Sequence, residues 1–157
     1  MMTIFDASQD RASSFGSFEL PIPPDEAFGL FTADGERDWV PGWSPTILGG
    51  LPQRPGLVFL TKADGLQTIW TVLESDPETC THRYSRVTPG HTAGIVEVEL
   101  FPNGAGCRVG VSYDMTALSP DGQPFLAAHS GAAFLEMLDK WRELIAASLR
   151  GDELQPA

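Results

Sequence analysis

His82, Tyr84 and Arg86 stand at alternate positions in THRYSRVT, so a strand carrying them sets all three on one face. An imidazole, a phenol and a guanidinium side by side can orient and polarise a carbonyl or a phenol. These three are the candidate catalytic residues. The competing reading, which the sequence favours, places this strand near a sheet edge, with His82 and Arg86 reaching solvent around the rim. Cys80 and His82 are the nearest thiol and imidazole, but two strand residues separate them by about 7 Å, too far for a direct hydrogen bond. No Gly-x-Ser-x-Gly segment occurs, and His82, His91 and His129 lack metal-ligand spacing, so neither metal nor cofactor is expected. Trp39 and Trp43 flank Pro41-Gly42; they suit either a gate that stacks on a ligand or a cluster closing short helices onto a sheet end.

The elements that must position these groups are legible from punctuation and period. Ser14–Leu20 reads as a first strand, stopped by Pro21-Ile22-Pro23-Pro24. Two short helices follow, one over Ala27, Phe28, Leu30 and Phe31, the other over Gly35–Trp39. Six further strands are expected at Pro45–Leu48, Leu57–Lys62, Leu66–Ser75, Thr81–Thr88, His91–Phe101 and Gly106–Leu118. Tight-turn pairs such as Asp64-Gly65, Pro89-Gly90 and Asn103-Gly104 imply antiparallel neighbours. The alternation in Val96-Glu97-Val98-Glu99-Leu100 makes one sheet face wet, which turns Glu97 and Glu99 outward, and leaves the other covered. Strand 66–75 is apolar on both parities, so its register stays open. A long helix from a Ser130 cap to Arg150, ended by Gly151, supplies the cover, with Phe134, Leu138, Trp141, Ile145 and Ser148 on one face.

Composition sets the outer limits. At 157 residues, 42% hydrophobic and with 16 glycines and 13 prolines, the chain suits one turn-rich globular domain. The organisation read from it is a loose lead-in over 1–13, a single domain over 14–150 and a tail over 151–157. Ten basic against 21 acidic residues give a net charge of −11, and no basic stripe exists. Such a field repels phosphate backbones and anionic membrane surfaces, so neither nucleic acid nor membrane insertion is expected. No segment reads as a membrane span or a signal peptide. Two widely spaced cysteines agree with a reducing, cytoplasmic setting and unpaired thiols. A homodimer is left open.

The order of strand, two short helices, six strands and a long helix, with the segments GERDWVPGW (35–43), WTVLESDP (70–77), YSRVTPG (84–90) and VSYDMTAL (111–118), resembles the START-like or SRPBCC superfamily, which includes Bet v 1-like pollen allergens, lipid-transfer START domains and polyketide cyclases. The likeness is strongest to small bacterial members and spans about residues 14–150. It implies an α+β helix-grip fold: a curved antiparallel sheet of about seven strands wrapped around the C-terminal helix, enclosing a cavity for an apolar or amphipathic molecule. The superfamily has no universal catalytic motif. Residues expected around such a cavity are Trp39 and Trp43 at the mouth, Trp70, Tyr84, Val96, Val98, Val109, Val111 and Tyr113 on the sheet, and Phe134, Leu138, Trp141 and Ile145 on the helix. Space is expected near the small residues Val111 and Ser148. Binding of a lipid-, polyketide- or aromatic-like small molecule is the leading function. A cyclase or aromatase using His82, Tyr84 and Arg86 is the alternative, and a chaperone-ATPase-activator-like protein-binding role comes third.

Overall fold

The computed structural model describes residues 10–151. Seven strands form one antiparallel sheet in the order β1-β7-β6-β5-β4-β3-β2. They are β1 (Arg11–Leu20), β2 (Thr46–Gly49), β3 (Val58–Ala63), β4 (Leu66–Asp76), β5 (Thr81–Thr88), β6 (Thr92–Asn103) and β7 (Gly106–Ala117). Helix α1 (Pro24–Ala27) and two 3₁₀ turns, Phe28–Phe31 and Gly35–Asp38, link β1 to β2. A 3₁₀ turn at Pro120–Gly122 leads into α2 (Gln123–Ala128) and the long α3 (Gly131–Leu149). This is the helix-grip arrangement, with β2 to β7 meandering in sequence and β1 closing on β7.

The wet and covered faces follow the alternation. On β7, Cys107, Val109, Val111, Tyr113, Met115 and Ala117 are buried beneath the helices, while Arg108 is exposed on the outer side. On β6, Val96, Val98 and Leu100 continue the same covered face. α3 answers with Phe134, Leu138 and Ile145, all buried.

Three expectations are corrected. Residues 11–13 are not loose lead-in: they pair with Thr116, Met115 and Asp114, and Arg11 donates to both carboxylate oxygens of Asp114 at 3.0 and 2.7 Å. β5 is a central strand rather than an edge, so His82 and Arg86 point into the covered space and not around a rim. Ser130 takes the extended N-cap conformation, but its hydroxyl donates backward to the Ala127 carbonyl and caps nothing.

The open register of β4 is resolved by a bulge. Trp70 pairs with Arg86 and Val72 with Tyr84; the register then shifts, and Ser75 pairs with His82. One inserted residue moves the next inward side chain from an even to an odd position. Trp70 and Val72 face inward before the bulge and Ser75 after it, while the apolar Ile69 and Leu73 lie on the outer face, which is why the strand is apolar on both parities.

The helix does not lie centrally in the grip. A Cβ placed on Gly16 of β1 would stand 2.6 Å from Leu138 Cδ1 and 3.1 Å from Leu135 Cδ2. Only glycine admits so close an approach. α3 is thereby drawn onto the β1–β7 side, and a wedge is left between it and strands β3 to β6.

Candidate functional site

That wedge is a cavity of about 240 Å³. It falls just below the usual range of ligand pockets, roughly 300–1,000 Å³, and so suits a small molecule. Its wall combines the short helical turns (Phe31, Glu36, Trp39, Val40, Trp43), the sheet (Phe59, Trp70, Tyr84, Arg86, Val96, Val98, Tyr113) and the C-terminal helices (His129, Met137, Trp141). All four tryptophans of the chain stand on it.

The aromatic wall is fixed by its own contacts. Trp43 meets Trp70 edge-on at 5.8 Å, Trp39 meets Trp141 at 5.5 Å, and Phe59 lies parallel to Trp70 at 5.9 Å. Indole N–H groups are costly to bury unpaired. Trp39 donates to the Leu30 carbonyl, Trp43 to the Ala33 carbonyl, and Trp70 to Thr61 Oγ1, at 2.7, 2.7 and 2.9 Å. The first two bonds brace the helical turns and the third joins β4 to β3. The ring contacts of Trp43 with Phe59 and Trp70 bring the turns onto the sheet end, so Trp39 and Trp43 form a closing cluster and line the cavity at once.

The three catalytic candidates separate sharply. His82 is wholly buried but does not reach the cavity. Its Nε2 is 2.8 Å from the Phe28 carbonyl, which can only accept, so Nε2 carries the proton and Nδ1 accepts from Ser75 Oγ at 3.0 Å. The ring stacks on Phe28 at 4.0 Å, and burial holds its pKa down to about 4. It is a neutral clip between the first 3₁₀ turn and β5. Tyr84 lies on the wall, but its hydroxyl donates to the Phe31 carbonyl and accepts from Gln53 Nε2. Burial and the nearby Glu36 raise its pKa, while the hydrogen bond from Gln53 opposes the shift. Its hydroxyl is occupied in holding the first 3₁₀ turn.

Arg86 is different. Its guanidinium carbon lies over the Trp70 ring at 5.3 Å and over the Phe125 ring at 4.5 Å. It forms no ion pair or hydrogen bond with any described residue, and Nη1 is fully enclosed. Burial lowers its pKa from the ordinary arginine value, while Tyr113 opposes the shift.

Three further polar groups face the same space, and the sequence reading missed two of them as site residues. Glu36 is partly buried and has no cationic partner among the described residues; burial pushes its carboxyl up to about 8. His129 donates Nδ1–H to the Phe125 carbonyl at 2.8 Å, which leaves Nε2 of the neutral ring as an acceptor. Burial lowers its pKa. Tyr113, an expected wall residue, stacks on His129 at 5.6 Å, and burial pushes its hydroxyl up to about 12. Glu36 was readable as inward from one signal: it lies three and four residues before Trp39 and Val40, whereas Arg37 turns outward to Asp34.

Of the expected wall residues, Trp39, Trp43, Trp70, Tyr84, Val96, Val98, Tyr113 and Trp141 line the cavity. Val109, Val111, Phe134, Leu138 and Ile145 do not; they pack in the solid core under α3. Neither Val111 nor Ser148 lines the cavity; Val111 is paired with Gly16, where α3 closes onto β1. A larger groove of about 390 Å³ lies on the outer side of the helical turns. Its polar groups are already engaged: Arg37 with Asp34 and the Pro45 carbonyl, Gln53 with Ala33, Ser75 and Tyr84. Among the described residues no cluster of metal-binding side chains occurs, and no helix is long and apolar enough to cross a membrane.

Solved structures share this architecture. The chain superposes on the crystal structure of Ara h 8.0201 with a TM-score of 0.67 at 16% identity, over 89% of this chain and 99% of that one. Norcoclaurine synthase from Thalictrum flavum gives a TM-score of 0.64 at 13% identity, over 93% of each chain. A Thermobifida fusca protein solved by NMR gives 0.65 at 20% identity, over 91% of this chain and 97% of that one. At such identities the likeness is one of fold. No curated protein sequence is significantly similar to the chain. The sequence signature described as polyketide cyclase / dehydrase and lipid transport matches residues 12–146, nearly the whole domain including every wall residue of the cavity. The chain therefore belongs to the polyketide cyclase / dehydrase and lipid transport family.

Proposed function

We propose that the protein binds an apolar or amphipathic small molecule in the cavity between the helical turns, strands β3 to β7 and α3. The observation that carries this reading is the wall itself: eight aromatic residues, three valines and Met137 surround a space that the core leaves open, with a few convergent polar groups. The two free thiols, Cys80 and Cys107, suit a reducing cytoplasmic setting for this role.

Native mass spectrometry of the purified protein, with uptake of an environment-sensitive apolar dye, tests the reading. A bound small molecule or saturable dye uptake is expected. Val96→Phe, which fills the space from the sheet side, is expected to weaken uptake while the fold persists. Absence of both, with Val96→Phe instead destabilising by ~1–3 kcal/mol as overpacking of a filled core does, refutes it.

A second reading, cyclase-type chemistry, is favoured by one observation. A cavity carboxyl with a pKa of about 8 can exchange a proton near neutral pH, as general acid–base catalysis requires. Glu36 would then be the proton-transfer group and Arg86 the group stabilising a developing enolate. Turnover of a polyketide-like substrate that is lost in Glu36→Gln tests it.

A further inference from the structure

Arg86 presents a chemical problem that the fold does not solve internally. A guanidinium has five N–H donors and stays protonated in proteins. Here no described side chain or carbonyl accepts from any of them, and no described carboxylate stands within 4.0 Å. Other cations of the chain are treated differently: Arg11 has Asp114, Arg37 has Asp34, Arg83 has Glu97 and Arg108 has Glu19, all near the surface. Arg54, Arg142, Lys62 and Lys140 also lack an ion pair among the described residues, but they are exposed to water, whereas Arg86 is turned into the cavity with Nη1 enclosed. A buried cation lacking its partner is strongly unfavourable, so a group retained there calls for an anion from outside.

We propose that Arg86 is the anchor for a small planar aromatic acid, whose carboxylate meets the guanidinium while its ring lies among the cavity tryptophans. This deepens the proposed binding function and rests on it. Three features define the ligand class. The contacts of Arg86 with Trp70 and Phe125 hold the guanidinium in place, so that its unused N–H groups can meet a carboxylate in a paired, coplanar geometry. The wall beside it, Trp39, Trp43, Phe59 and Trp141, suits a flat ring rather than a branched chain. A single cation balances a single negative charge, and no second arginine or lysine stands on the wall to meet another. Tyr113 and His129, also on the wall, can take a further hydroxyl or carbonyl of the ligand.

Naphthalene-2-carboxylate and naphthalene-2-carboxamide form a probe pair of nearly equal shape that differs in charge. Calorimetric titration at about pH 6.5 keeps the acid ionised, since carboxyl groups of this kind titrate near 4. The carboxylate is expected to bind about 10- to 100-fold more tightly than the amide, the size of a charge-assisted hydrogen bond. Arg86→Met is expected to abolish this preference, leave amide binding in place and keep or raise the melting temperature, because it removes an unpaired buried charge. The wild-type ratio alone decides the matter should Arg86→Met fail to fold. Amide binding equal to or tighter than the carboxylate overturns the anchor and leaves the apolar cavity standing. So does a preference for the acid that survives Arg86→Met. Binding of neither probe overturns the cavity function as well.

Discussion

Glu36 and His82 titrate in opposition, and replacing Glu36 with glutamine exposes it. Glutamine is close in shape to a protonated glutamate, so Glu36→Gln fixes the group in its neutral form. The Glu36 carboxyl has a folded pKa of about 8 against 4.5 in the open chain, so between those values only the folded state holds the proton. Stability contributed by this residue therefore falls as pH rises, at about 1.4 kcal/mol per unit. His82 has a folded pKa of about 4 against 6.5, so between those values only the unfolded state holds the proton and stability falls as pH drops. Between about pH 4.5 and 6.5 the two slopes nearly cancel, each amounting to about 2 kcal/mol. Above pH 6.5 only Glu36 still acts, and the wild type is expected to lose about 1 to 1.5 kcal/mol by pH 8. The variant should hold steady from pH 6.5 to 8 and lose about 2 kcal/mol between pH 6.5 and 4.5, with His129 adding to the loss in the same direction. For a chain of this length, 1 kcal/mol is about 2–4 °C in melting temperature, so thermal melts across pH resolve the effect. Every other titrating group cancels in the difference between the two proteins. Parallel stability curves for wild type and variant refute the reasoning.

Other outcomes follow from the packing. Phe134→Ala, in the closed part of the core, is expected to cost about 3–5 kcal/mol, and Trp141→Ala, a half-buried cavity wall residue, about 2 kcal/mol. Lys140→Ala on the exposed face should stay within ~0.5 kcal/mol in the same denaturant melts. Gly16→Val should destabilise by ~1–3 kcal/mol, because its side chain must displace Leu138 and Leu135. A neutral result there would mean that α3 is not held against β1. His82→Ala removes the ring that stacks on Phe28 and bonds its carbonyl; faster exchange of amides in 24–38 than elsewhere would mark the loss of that clip, and uniform exchange would contradict it.

The strands and helices were readable because single residues declare them. Val96-Glu97-Val98-Glu99 shows which face is wet, and Gly90, Gly104 and Gly151 each end an element in the left-handed region. Strand order was less accessible. The central position of β5 depends on long-range pairing with both β4 and β6, and nothing within THRYSRVT distinguishes a middle strand from an edge. The bulge after Val72 was hidden for a related reason, since Leu73 and Ile69 are apolar yet face outward. The cavity wall was partly visible as inward aromatic positions. Its location was not, because it depends on α3 being drawn toward Gly16. Val111 and Ile145 therefore lie in solid core, while Phe59 and Met137 line open space. Glu36 was obscured by its neighbours Asp34, Arg37 and Asp38, which give the segment the look of an exposed charged turn.

The central claim is that the space between the grip and the helix is a ligand site, and the four tryptophans report on it directly. Each indole stands on the cavity wall, and the chain has no others. Two-dimensional NMR of nitrogen-labelled protein titrated with the neutral naphthalene-2-carboxamide follows the four indole N–H signals one by one. The account predicts saturable shifts in the signals of Trp39, Trp43, Trp70 and Trp141, with a common dissociation constant. Indole signals that stay fixed, while backbone amides around Ile47 and Gln53 in the outer groove move instead, would contradict it.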